Sequence, residues 1–142
     1  MEPTNHVRVI LCGVVAGAVY ALLNAAFLAL IAPDFFASVQ QSAQQAPLSW
    51  PYFLAIDMAM GVWVVWLYSA IEPRYGASAQ TTLIAGVALW TLKTLQSVKW
   101  GGLGFVDLGL ELLPLGAATL VAVMVATFVG VGIYRRGRKS TA

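Results

Sequence analysis

The stretch VILCGVVAGAVYALLNAAFLALI, residues 9–31, decides the reading of this chain. It holds 23 residues with no charge, and Asn24 is its one strongly polar side chain. A helix rises 1.5 Å per residue and a bilayer core is about 30 Å thick, so about 20 apolar residues cross it. The stretch is long enough. It is also longer than the 7–15-residue apolar region of a cleaved signal peptide, which predicts a retained helix.

The rest of the chain agrees. Of 142 residues, 60% are hydrophobic and 10% charged, against about 25% charged in a soluble domain. Mean hydropathy is +0.80. These values argue against a soluble enzyme, a disordered tail and a nucleic-acid-binding domain. One cysteine, Cys12, and one histidine, His6, leave no internal disulfide, no bis-histidine haem site and no cysteine-rich metal site. No cofactor or metal is expected.

Three further spans follow. One covers about 51–71 and is interrupted by Asp57, and one covers about 81–98 and contains Lys93. The last covers about 107–134 and ends before Arg135. It starts either near Phe105, with a kink at Pro114, or near Leu112, which would leave an interfacial or re-entrant piece before it. The expected fold is all-α: a polytopic membrane protein with four transmembrane helices in an antiparallel bundle, a single membrane domain over 1–142. Arg8, Arg74, Arg135, Arg136, Arg138 and Lys139 flank one side and Lys99 the other. The positive-inside rule then places both termini and the basic tail 135–142 in the cytoplasm. The loop 33–50 lies outside. Within it Asp34 is a fair N-cap for a short interfacial helix carrying Phe35, Phe36 and Val39, with an ordinary surface loop as the alternative. Phe35, Phe36, Trp50, Tyr52 and Trp100 mark the outer aromatic boundary, and Tyr68, Tyr75 and Tyr134 the inner one.

Small residues recur every fourth position in the first span: Gly13, Gly17, Ala21, Ala25 and Ala29. Such a stripe predicts close helix packing, within the chain or against a second copy. Polar residues are more telling. Counted from the span ends, Asn24, Asp57 and Lys93 fall at one depth, and Glu111 joins them, with Asp107 one turn away, if the fourth span begins early. A charge near mid-membrane costs roughly 2.5–3.5 kcal/mol, so it is normally turned inward and paired. Asp57 with Lys93 is the expected pair. Glu111 would add a second carboxylate, relieved by a proton, a cation or a cationic substrate. Asp57, Lys93, Glu111 and Asn24 are therefore the candidate binding or coupling residues. A purely structural salt bridge explains them as well. Thr91, Thr94, Gln96 and Ser97 make the outer half of the third span unsuited to lipid. It is expected to be central in the bundle or covered by a partner.

Residues 65–90 read VWLYSAIEPRYGASAQTTLIAGVALW. The elements LY-x-A-I-x-P-R-[YF]-G and T-x-L-I-A-G-x-A-x-W resemble a pattern in small bacterial four-helix membrane proteins of unknown function. The resemblance implies a bacterial inner-membrane location and carries no activity. With no nucleophile, metal or cofactor motif, the expected role is non-catalytic: an accessory or scaffold subunit of a membrane assembly. The alternative is a homo-oligomeric proton- or cation-coupled transporter or channel using Asp57, Lys93 and Glu111. Expected partners are the lipid bilayer and other membrane subunits or a second copy, not nucleic acid.

Overall fold

A computed structural model of the chain describes residues 6–45, 49–102 and 112–139. These form five helices: α1 (His6–Ile31), α2 (Pro33–Gln45), α3 (Ser49–Tyr75), α4 (Ala79–Gly102) and α5 (Leu112–Lys139). Three helices are long and apolar enough to cross a membrane: His6–Ile31, Pro51–Tyr75 and Leu113–Gly137, with mean hydropathies of 2.3, 1.7 and 2.1. Helix α4 has 24 residues, about 36 Å of rise, yet it is not among the three. Lys93 and Lys99, together with its threonines, glutamines and serine, hold its hydropathy down. The expected pieces at Asp107 and Glu111 lie outside the described residues.

Helix α1 is the hub. It packs on α3 and α5, and α4 leans on α3 and α5. Among the described residues the α1 and α4 backbones do not approach each other closely. The α1–α3 contact is a glycine seam. A Cβ added to Gly61 would collide with the Gly13 carbonyl oxygen and the Gly17 nitrogen, and would sit 2.7 Å from Gly17 Cα. Gly13 in turn abuts Val62, and Gly17 abuts Asp57 and Met58. Numbers fall along α3 as they rise along α1. Lipid is as apolar as leucine, so helices in it associate by close packing, which backbone-on-backbone contact supplies. Gly130 of α5 gives the matching approach to α1, where a Cβ would lie 2.7 Å from that of Ala16.

The small-residue stripe is used in part. Gly13 and Gly17 are buried, Ala21 and Ala25 half-buried, and Ala29 exposed. The cause is periodicity. Four residues turn the helix 400°, so a strict four-residue stripe precesses about 40° per step and has swung about 160° by its fifth member. The face that packs is Val9, Cys12, Gly13, Ala16, Gly17 and Tyr20.

Around it lie two apolar clusters. One joins Val9, Cys12 and Ala16 to Val64, Val65, Tyr68, Ala85, Val131 and Tyr134. The other joins Tyr20 to Ala122, Val123 and Ala126. Tyr68 and Tyr134 are thus core residues rather than boundary markers. They are 0% and 5% exposed and meet edge to face at 6.3 Å. Tyr75 is 60% exposed.

The segment 33–45, within the expected outer loop, is helical. Pro33 opens α2, as its fixed φ and missing N–H suit a first helical position. Asp34 consequently sits in the first turn rather than capping it, where its charge still favours the helix dipole. The break is slight. Ala32 N–H donates to Leu28 O at 3.0 Å and Phe36 N–H to Ala32 O at 2.9 Å.

At the opposite end α3 runs through Pro73 to Tyr75, so only residues 76–78 turn the chain into α4. Gly76 has φ +81° and donates its N–H to Glu72 O at 2.8 Å, a left-handed helix cap. Ser78 Oγ accepts from Thr81 N–H at 3.1 Å and caps α4. Thr81 Oγ1 donates to Gly76 O at 2.7 Å. Arg135 of α5 donates to Ala77 O, also at 2.7 Å. Gly76→Ala is expected to cost about 1 kcal/mol, because a Cβ disfavours left-handed backbone. Thermal melting in mild detergent checks this. No atom lies within 4 Å of the new Cβ, so the loss reads backbone conformation alone.

Candidate functional site

The polar centre of the fold is built from α1, α3 and α4. Lys93 of α4 is half-buried. Helical side chains lean toward the N-terminus, which carries its long stem toward the middle of the bundle. There its Nζ donates to the Tyr20 hydroxyl and lies 4.0 Å from the centre of the Tyr20 ring. The hydrogen bond thus holds the ammonium at the hydroxyl end of the ring. Because the α1 and α4 backbones do not approach each other closely, this pair ties them across the bundle.

Asp57 is half-buried on α3, with its backbone against Gly17. It acts on both Tyr20 and Lys93 electrostatically. The lysine's hydrogen-bond partner is therefore Tyr20, where the charge pattern alone pointed to Asp57. Tyr20 was missed because a tyrosine in an apolar run reads as one more large side chain. The available signal was a hydroxyl one turn from Asn24 in a span with few other polar groups.

Asn24 does not share the layer. It lies seven residues beyond Gly17, about 10 Å of rise, whereas Asp57 abuts Gly17. Counting from helix ends fails because the ends are not level. Helix α1 continues fourteen residues past Gly17, while α3 has eight before Asp57. Asn24 is half-buried one turn from Tyr20. Glu111, with Asp107, lies outside the described residues.

A cavity of about 10 Å³ sits beside Lys93, bordered by Tyr20, Gly61, Val64, Val123 and Thr127. That is about one water's worth of space. Thr127 is spoken for, as its hydroxyl donates to Val123 O at 2.7 Å. Nearby, Trp90 Nε1 donates to Gly116 O at 3.1 Å, pinning α4 to the first turns of α5. Among the described residues no buried side-chain nitrogen or oxygen lacks a partner. Nor does any group of three His, Cys, Asp or Glu among them stand where it could hold a metal.

The sequence reading also passed over Glu72. It is 5% exposed, and Tyr68 donates to its Oε1 at 3.5 Å, so this carboxylate is an interior residue. Its place four residues after Tyr68 on one helix face was the signal.

The outer half of α4 divides by face. Lys93 and Thr94 are half-buried, while Thr91, Gln96 and Ser97 are exposed beside Leu92, Leu95 and Val98. The Ser97 hydroxyl donates back to Lys93 O at 3.1 Å.

No family model, no curated protein and no solved structure matches the chain.

Proposed function

We propose that this chain is a non-catalytic integral membrane bundle, with α4 crossing as the fourth helix of an antiparallel set, and that it serves as an accessory or scaffold subunit of a bacterial inner-membrane assembly. The observation that carries this reading is the exposed polar side chains on the outer half of α4. Thr91 and Gln96 are exposed there, and lipid hydrocarbon offers them no hydrogen-bond partner. A neighbouring subunit supplies one. Helix α4 is too polar to cross alone, and it crosses against α3 and α5 with its lysine turned inward. The likeness of residues 65–90 to small bacterial four-helix membrane proteins belongs to the same proposal.

Two measurements test it. Four crossings put both termini on the cytoplasmic side, so cysteine-reactive reporters at the two ends are expected to label from that side only. Labelling from opposite sides means three crossings, and the proposal fails. Native mass spectrometry of the protein extracted from its own membrane is expected to show it bound to other subunits.

A second reading has one observation in its favour: Lys93 borders the central cavity with Asp57 in electrostatic range. In it the chain is a homo-oligomeric proton- or cation-coupled transporter or channel, with Glu111 as a further member. It requires Asp57→Asn to abolish flux in vesicles while insertion is kept. Flux unchanged by Asp57→Asn removes it.

A further inference from the structure

Two apolar grooves run along the outside of the bundle and share Ile133 as the ridge between them. The first, about 580 Å³, lies on α5 and follows Met124, Phe128, Gly132 and Arg136 at four-residue spacing. The second, about 460 Å³, lies between α1 and α5 and is bordered by Val7, Leu11, Arg8 and Gly137. Both are open. Each ends at an arginine at the end of the molecule that carries the α3–α4 turn. Among the described residues, every charged residue bordering either groove is an arginine. Arg74 is exposed at the same end. Gly132 deepens the first groove, with no atom within 4 Å of where its Cβ would stand.

The geometry points to a binding site for one anionic diacyl phospholipid, its two acyl chains in the grooves on either side of Ile133 and its phosphate held by Arg136 and Arg8. The argument is complementarity of charge and shape. A guanidinium matches a phosphate in planar, forked geometry. Basic groups between membrane helices at one face of the bilayer recognise anionic headgroups. The grooves' apolar walls suit hydrocarbon, and their number suits a lipid with two chains. A second copy of the chain is the competing occupant. The inference rests on the reading that α1 and α5 lie in a bilayer.

Native mass spectrometry of the full chain in mild detergent, with equal phosphatidylglycerol and phosphatidylcholine, tests it. The expected result is one retained lipid, phosphatidylglycerol favoured by roughly fivefold or more, with Arg136→Gln reducing that preference about fivefold. Gly132→Leu fills the groove without touching an arginine. It is expected to lower retention of both lipids while the wild-type preference persists. Equal retention of the two headgroups overturns the proposal, as does Gly132→Leu with unchanged retention, or a dimer that carries no lipid. Alkaline extraction of membranes separates the two levels. A chain that washes off overturns the membrane reading and this site with it. A chain that stays but shows no headgroup preference overturns the site alone.

Discussion

Gly61→Ala is expected to destabilise the bundle by about 1–3 kcal/mol, and Gly61→Val by more, measured as loss of helicity on titration with denaturing detergent. The sign is not obvious from propensity, since alanine gains about 0.5–1 kcal/mol over glycine inside a helix. Sterics win because the new methyl would strike main chain on α1, at Gly13 and Gly17, rather than a side chain that could turn aside. To relieve the clash the two helices must separate along their length, which forfeits the contacts on both flanks of the seam. Gly116→Ala is the control. Among the described residues nothing lies within 4 Å of its added Cβ, so it is expected to be neutral or slightly stabilising. If Gly61→Ala and Gly116→Ala behave alike, the seam is not closed to backbone contact.

The second large effect is a coupling. Tyr20→Phe removes the hydroxyl that accepts from Lys93 and leaves an ammonium inside the bundle short of its partner, a loss of about 1–3 kcal/mol. Adding Lys93→Met removes the stranded charge. The double variant is therefore expected to be more stable than Tyr20→Phe alone, with a coupling of about 1–2 kcal/mol in a double-mutant cycle. Purely additive losses would mean that the two side chains do not act as a pair. Asp57→Asn, placed in the same cycle, reports how far the carboxylate steadies the lysine without touching it.

What could be read in the sequence followed from forces that act along one helix. The helices showed because residues 9–31 carry no charge and because Asp57 and Lys93 interrupt otherwise apolar runs. The tight turn after α3 is legible too, because Pro73 and Gly76 limit the chain locally. Relations between helices were harder. The depth of Asn24 depended on how far α1 slides past α3, which the glycine contacts set and no span count can supply. Ala29 depended on the slow precession of a four-residue stripe. Tyr20 became visible only once Lys93 had been brought across from a helix whose backbone stays apart from that of α1. In the turn at the far end, a buried Glu72 was hidden by its neighbours Pro73 and Arg74, whose types signal surface.

The place of α1 between α3 and α5 governs the order in which the protein is made. Its first neighbour, α3, leaves the ribosome soon after it. Its second, α5, is finished about a hundred residues after α1 ends, roughly 5–20 s at ordinary rates of synthesis. During that interval one flank of α1, with Cys12 and Ala16, has no Gly130 to rest against. The turn at Ala77 likewise waits for Arg135, which arrives in the last helix. The nascent protein thus passes through an open half-bundle once α3 is made, and α5 closes it.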